Sequence, residues 1–146
     1  MNLIITEANL KSPNLTVIKP SPDFLIEVGE ERFRKLVNDH YELIRGSDIS
    51  FMFPIEYEDE FEKVKKHAAD FLIQICGGVN YYAQTRGDSR MLSRHARFRI
   101  EEKGRKTWLE CYATLLKELE KENISTKSIQ SFWNYLDSFS MVLINT

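Results

Sequence analysis

Apolar residues recur at steps of three and four along several long stretches of the chain, the spacing that places them on one face of an α-helix. The first such stretch begins at Glu30. Gly46, Ser47 and Asp48 follow it and predict its end, because these residue types favour turns over helix interiors. The positions that form its apolar stripe are Phe33, Leu36, Val37, His40, Tyr41 and Ile44.

Three further helices are predicted, over residues 57–76, 104–122 and 126–144. Gly77 and Gly78 end the first of them, since a glycine with positive φ commonly closes a last helical turn. Ser125 or Thr126 is suited to cap the start of the last one. Strand-like alternation is absent. The sequence therefore predicts an all-α protein with four principal helices and an irregular segment at 79–103.

The N-terminal part of the chain reads differently. Residues 1–28 contain Pro13, Pro20 and Pro22 among scattered polar residues. Because proline fixes φ and lacks an N–H, we expect this part to be an extended arm. The chain is accordingly divided into a partly ordered N-terminal extension, 1–23, and a helical domain, 24–146.

Composition and charge narrow the class of protein. A chain of 146 residues fits one domain, and contents of 42% hydrophobic and 12% aromatic residues predict a packed globule. A net charge of −2 disfavours binding to nucleic acid or to an anionic membrane. Cys76 and Cys111 lie in apolar helical patterns, so buried reduced thiols are expected. Since neither a secretory signal nor a membrane span is recognisable, a cytoplasmic location is expected.

The stretch MLSRHARFRI, residues 91–100, surrounds His95 with arginines and apolar residues. The histidines and cysteines lack zinc-ligand spacing, and neither a glycine-rich phosphate loop nor a nucleophile elbow is present. Haem fits this set of residues, because its iron takes one axial imidazole and its propionates pair with cations such as Arg94 and Arg99. A surface histidine among solvated arginines fits the residue types equally well. Contact with nucleic acid through residues 90–99 is disfavoured by the net charge.

Five motifs resemble the truncated haemoglobins, most closely those of group II, in their order and nearly in their spacing. They are FRKLVNDHYELI, MFP, FLIQICGGVNYYAQTRG, RMLSRHARFRI and RKTWLECY. The resemblance covers about residues 24–145. It implies a two-over-two helical sandwich, shortened from the full globin fold, that binds haem b.

The resemblance implies a role for each of a set of residues around that haem. His95 is implied as the iron ligand. Tyr41 and Trp108 are implied as hydrogen-bond donors in the ligand pocket on the opposite, distal side. The alternatives are ordinary core aromatics at these two positions and a solvated residue at His67; His40 either hydrogen-bonds within the distal pocket or fills space. The remaining implied positions are Phe53 stacked on the macrocycle, Val64 and Ala68 along the distal wall with Phe71 packed behind it, Tyr82 and Arg99 at the haem edge, and His67 beside a propionate.

The ligands implied by the resemblance are O2 and also NO, peroxide or sulfide. Hydrogen-bond donors that hold such ligands tightly favour redox chemistry on the ligand over bulk transport. A haem-dependent NO dioxygenase or peroxidase-like activity is compatible with this expectation. Such an activity needs an electron-donating reductase as a partner, because the sequence shows no flavin or nicotinamide site. The alternative is a haem-free helical interaction or sensor module with a globin-like shell. Both a monomer and a homodimer fit the sequence.

Overall fold

The computed structural model describes residues 1–11 and 16–146. Over these residues it contains helices and no strand, which confirms the all-α prediction. None of the helices found there combines the length and the apolar character that crossing a membrane requires. We number the helices α1 (Asp23–Val28), α2 (Glu30–Arg45), α3 (Glu58–Ile75), α4 (Tyr81–Arg86), α5 (Met91–His95), α6 (Glu102–Lys121) and α7 (Thr126–Val142), with a 3-10 turn at Ser50–Met52.

The four long helices predicted from the apolar spacing are confirmed. They correspond to α2, α3, α6 and α7, and their ends lie within about two residues of the predicted ones. Ser125 caps α7, because its hydroxyl accepts a hydrogen bond from the Ser128 N–H at 3.2 Å. The predicted stripe of α2 is also its buried set, namely Phe33, Leu36, Val37, His40, Tyr41 and Ile44.

Two parts of the chain differ from the prediction. Residues 23–28, expected in the extended arm, form α1, and the segment 79–103, expected to be irregular, contains α4 and α5. These helices have five or six residues, so they are too short to repeat an apolar spacing and periodicity does not reveal them. The stretch 12–15 of the expected arm lies outside the described residues.

The long helices pack as two pairs. α2 packs against α3, α6 packs against α7, and α2 also contacts α6, so that one pair lies over the other. This arrangement confirms the two-over-two sandwich. The short helix α1 contacts both α2 and α7 and therefore bridges the two pairs.

Aromatic rings occupy the centre of the core. Phe24 and Phe132 are stacked, with ring centroids 4.4 Å apart, and Phe33 meets both rings edge-on at 5.8 and 5.6 Å. All three side chains are fully buried. Because they belong to α1, α7 and α2, their contacts hold three helices together, and burying each ring contributes roughly 1.5–3 kcal/mol.

The turn after α3 depends on its two glycines. Gly77 has a φ of +88°, which confirms the expected left-handed residue after the last helical turn. A Cβ on Gly78 would lie 2.6 Å from Leu25 Cδ2 and 2.7 Å from Ile73 Cγ2. A side chain at Gly78 would therefore force Leu25 of α1 and Ile73 of α3 to shift.

The N-terminal arm lies along α7 and is tied to it by polar contacts. The Trp133 indole N–H donates to the Ile4 carbonyl at 2.9 Å, and the Thr6 hydroxyl donates to the Asp137 carboxylate at 2.7 Å. The buried guanidinium of Arg105 donates to the Thr6 carbonyl and to that carboxylate, both at 2.6 Å. The first residues of the arm are therefore part of the folded body.

The two cysteines are free thiols. Cys76 is buried as expected, and burial raises its pKa to about 12, which keeps the thiol neutral. Cys111 is only half-buried, because it lies at the margin of the apolar face of α6.

Candidate functional site

His95 is the last residue of α5, and one of its ring nitrogens is already occupied. Nδ1 lies 2.7 Å from the carbonyl oxygen of Met91, one turn earlier in the same helix. Because a carbonyl oxygen only accepts, Nδ1 carries the proton and Nε2 presents its lone pair. Nε2 has no hydrogen-bond partner among the described residues. An imidazole oriented in this way is prepared to bind a metal ion through Nε2.

Hydrogen bonds hold the helix that carries His95, and its Met91 side chain packs partly against the core. Arg94 donates from Nε to the Ser89 carbonyl at 2.8 Å and from Nη2 to the Arg86 carbonyl at 3.1 Å. The helix starts after Arg90, whose backbone is left-handed with a φ of 43°, and none of its own residues is buried. The guanidinium of Arg94 therefore holds the segment before His95, and the side chains of α5 remain at least partly exposed to solvent.

A group of aromatic residues lies where the 3-10 turn, α2 and α6 meet. Tyr41 meets Phe53 edge-on, with centroids 5.5 Å apart, and meets the ring of His40 at 5.4 Å. His40 in turn meets the Trp108 ring at 5.3 Å. The structure therefore brings together all the residues that the sequence analysis assigned to the distal pocket, with Phe53 beside them. Phe53 and Trp108 are only half-buried.

The distal group holds two unused hydrogen-bond donors. The hydroxyl of Tyr41 and the indole N–H of Trp108 have no hydrogen-bond partner in the described ranges, 1–11 and 16–146. Burial raises the pKa of Tyr41 to about 12, so its hydroxyl keeps its proton. Both groups are available to a small ligand.

His40 is a neutral imidazole. Burial lowers its pKa to about 3, against a smaller opposing effect of its hydrogen bond to the Trp108 carbonyl. That bond runs from Nε2 over 3.0 Å. The other nitrogen, Nδ1, is buried and has no partner among the described residues.

One face of α3 carries the residues expected along the distal wall. Val64 and Ala68 are half-buried, and Phe71 is buried. The Phe71 ring meets Tyr82 at 5.6 Å and Phe139 at 5.7 Å. Their spacing of three and four places these α3 residues on one apolar stripe.

Positive charge collects beside His67. The Nδ1 atom of His67 is buried without a partner among the described residues. Burial lowers the pKa of this histidine, and the neighbouring charges of Arg86 and Lys66 lower it further. Arg86 and Arg94 both lie over the ring of the buried Tyr82, at 5.9 and 5.6 Å from its centroid. The site therefore combines a partnerless buried nitrogen with two guanidinium groups.

The sequence analysis missed Arg86. It belongs to the motif YYAQTRG, where it ends α4 directly before Gly87. A basic residue at the end of a helix and just before a turn was the available signal, since such a side chain can reach over the neighbouring loop.

Two predicted residues lie apart from these groups. Arg99 pairs with Glu101 at 3.1 Å, and its side chain is 75% exposed. The ring centroids of His95 and Phe98 are 6.4 Å apart. In the described part of the chain, His95 makes neither a hydrogen bond nor a ring contact with the distal group.

These residues fit a haem. The lone pair of His95 Nε2 is free for iron, and the half-buried apolar side chains of Phe53, Val64 and Ala68 suit a macrocycle. The unpartnered nitrogen of His67 and the guanidinium of Arg86 suit carboxylates at its edge.

Comparisons with known proteins identify the family and the fold. A model of the bacterial-like globin family matches residues 27–143. The phosphate-bound structure of Hell's gate globin IV is 35% identical, covers 98% of this chain and 87% of its own, and has a TM-score of 0.83. The haemoglobin of the thermophilic phototrophic bacterium Chloroflexus aurantiacus is 27% identical over 84% of this chain and 98% of its own, with a TM-score of 0.74.

A third similar structure is the group II truncated haemoglobin of Bacillus anthracis. It is 25% identical over 85% of this chain and 96% of its own, with a TM-score of 0.73. The family match and these neighbours support a haem-binding globin. The chain belongs to the bacterial-like globin family, and its structural neighbours are truncated haemoglobins.

Proposed function

We propose that this globin binds haem b through His95 and holds O2 and related small ligands in the pocket that contains Tyr41 and Trp108. The observation that carries the proposal is the hydrogen bond from His95 Nδ1 to the Met91 carbonyl, because it directs the free lone pair to Nε2. Noncovalent haem b is the form that suits the chain, since neither Cys76 nor Cys111 belongs to the C-x-x-C-H motif of covalent attachment.

His95 would hold a bound haem through Nε2, and the haem iron would supply the chemistry of binding diatomic ligands. The hydrogen bond to the Met91 carbonyl fixes the plane and the tautomer of the imidazole. Arg94 supports the same segment by tying α5 to the loop before it. These contacts keep the His95 ring in the orientation that ligation requires.

The apolar stripe of α3 and the ring of Phe53 would exclude water from the faces of the macrocycle. Val64, Ala68 and Phe71 supply the stripe. Exclusion of water strengthens the electrostatic contacts made inside the pocket.

The basic group beside Tyr82 would hold the carboxylates at the haem edge. Arg86 would donate to such a carboxylate from its guanidinium, and His67 would donate from whichever ring nitrogen carries the proton. Arg94 would contribute through its charge, since its donors are engaged by carbonyl oxygens, and Arg99 would exchange its exposed partner Glu101 for a propionate.

On the ligand side, the Tyr41 hydroxyl and the Trp108 N–H would donate to a ligand that gains negative charge. A hydrogen bond to a charged acceptor contributes roughly 1.5–3 kcal/mol, which is about a tenfold or greater effect on ligand escape. Slow escape suits a redox role with O2, NO, peroxide or sulfide better than bulk transport. A separate electron-donating reductase would complete such a cycle.

Titration of the full chain with haem, followed by stopped-flow O2 dissociation, tests the proposal. We expect one haem per chain, an intense Soret band, and about tenfold faster O2 dissociation in Tyr41→Phe. Tyr57→Phe is the matched control, because Tyr57 is exposed outside the pocket. Failure to bind haem would instead indicate a haem-free interaction module, and equal rates in the two variants would remove Tyr41 from the role of donor.

A further inference from the structure

His40 lies between the two donors of the distal pocket. Its ring is fully buried and stacks on Tyr112, with centroids 3.6 Å apart and planes 16° apart. It meets Tyr41 and Trp108 edge-on at 5.4 and 5.3 Å. One imidazole therefore touches the aromatic rings of both donor residues.

The hydrogen bond of His40 fixes the tautomer of its ring. Nε2 lies 3.0 Å from the Trp108 carbonyl oxygen, which can only accept, so Nε2 carries the proton. Nδ1 then holds a lone pair, and this buried atom has no partner in the described part of the chain.

Stability alone does not account for an imidazole at this position. The Trp108 carbonyl lies inside α6, where the N–H four residues later also bonds to it, so it is not left unpaired without His40. A phenylalanine would keep the stacking on Tyr112 and would leave no buried lone pair unsatisfied. The polar ring is thus better explained by the hydrogen bond that it makes across two helices.

We propose that His40 is a positioning residue, whose Nε2–H bond to the Trp108 carbonyl fixes α2 against α6 and so sets the spacing between the Tyr41 hydroxyl and the Trp108 indole N–H. The bond ends within one residue of each donor, because Tyr41 follows His40 and the accepting carbonyl belongs to Trp108 itself. The inference rests on the proposed function, in which these two groups bind the same ligand.

Two substitutions separate positioning from packing. His40→Phe keeps the ring but removes the bond, and His40→Gln keeps an N–H donor of similar reach. We expect His40→Phe to keep or raise the unfolding midpoint, to speed O2 dissociation about fivefold, and to split the C–O stretching band of the CO complex into several bands. His40→Gln should restore a rate near that of the unmodified chain. A lowered midpoint with an unchanged rate and C–O band would show a purely structural role and overturn the proposal.

Nitrogen NMR of the full chain tests the tautomer directly and without a kinetic readout. We expect one histidine, lost in His40→Phe, to show a protonated Nε2 and a lone pair on Nδ1, unchanged down to about pH 5. A cationic ring or an Nδ1–H tautomer would overturn the proposal. Because the spectrum can be recorded with and without haem, its failure is distinct from a failure to bind haem.

Discussion

The helical core and the His95 segment differ in how deeply their side chains are buried. We use the first name for α1, α2, α6 and α7 and the second for residues 79–101. In the helical core the rings of Phe24, Phe33 and Phe132 fill space against one another and are fully buried. In the His95 segment α5 has no buried residue. The contacts of these three rings are complete within the protein, whereas the His95 segment offers the unbonded Nε2 of His95.

Polar groups near the two regions also differ in whether they have hydrogen-bond partners. Asp70 is fully buried beside the core and accepts from Arg34 at 2.8 Å and from Lys66 at 2.6 Å. By contrast, the buried Nδ1 of His67, next to the His95 segment, has no partner in the described ranges, and Nε2 of His95 is also unbonded. We infer that the aromatic packing and the paired Asp70 stabilise the fold, and that the unbonded nitrogens of His67 and His95 serve a bound group.

The largest expected effect is a loss of core packing. Phe132→Ala should lower the free energy of unfolding by about 3–5 kcal/mol, because it empties the stacked site against Phe24. The matched change in the segment, Phe98→Ala, should lower it by about 1 kcal/mol, since this ring is only half-buried. Denaturant unfolding of the haem-free chain measures both. Equal losses would erase the contrast between the two regions.

Haem should act mainly on the His95 segment. We expect its addition to slow amide hydrogen exchange in 91–95 by about a hundredfold or more, because a ligand that binds only the ordered segment shifts its local opening. The slowing of exchange should be smaller in α7, because the amides of its buried residues are already protected without haem. Exchange measured by mass spectrometry with and without haem is the test, and a change spread evenly over the chain would argue against a segment completed by its ligand.

The charge cluster of α3 predicts a pH dependence. Burial acts to raise the pKa of Asp70, but the hydrogen bonds from Lys66 and Arg34 outweigh it, and the net pKa is lowered. A lowered folded pKa means that this stabilisation is present above the ordinary value of 3.8 and is lost as the pH falls through the folded value.

The matching substitution is Asp70→Asn. It should lower the free energy of unfolding by about 2 kcal/mol near neutral pH and by much less in strong acid. Chemical unfolding at several pH values measures this difference. A penalty that does not change with pH would mean that the carboxylate charge is not responsible.

The smallest effect on stability is expected at the exposed rim. Arg99→Gln should change the free energy of unfolding by less than about 0.5 kcal/mol, because its pair with Glu101 is exposed to solvent. Its effect should appear in haem loss, which we expect to become about twofold to fivefold faster if the guanidinium reaches a propionate. Transfer of haem to an apoglobin acceptor measures the rate, with Lys117→Gln on the exposed face of α6 as the control.

The long helices could be predicted because each buries one stripe over several turns. For α2 the predicted stripe and the buried set agree at every position. Apolar spacing cannot predict α1, α4 or α5, because helices of five or six residues make too few turns for the spacing to repeat.

The burial of a charged side chain also could not be predicted from the sequence. Arg105 is polar and its position in the helical pattern is unremarkable, yet it is buried because the arm and α7 surround it with acceptors that are distant in sequence. At the candidate site, the resemblance predicted His95, Tyr41 and Trp108. The hydrogen bond of His95 to Met91 and the place of the Arg86 guanidinium over Tyr82 could not be predicted in detail, because both depend on how short helices are oriented.

The central claim is that Nε2 of His95 binds the haem iron, and replacement of the imidazole tests it most directly. His95→Gly should fold with unchanged far-ultraviolet circular dichroism, since α5 is short and unburied, but should bind haem weakly and with an altered Soret band. Added imidazole should restore both affinity and spectrum by filling the position of the missing ring. An unaltered haem spectrum in His95→Gly without imidazole would contradict the account.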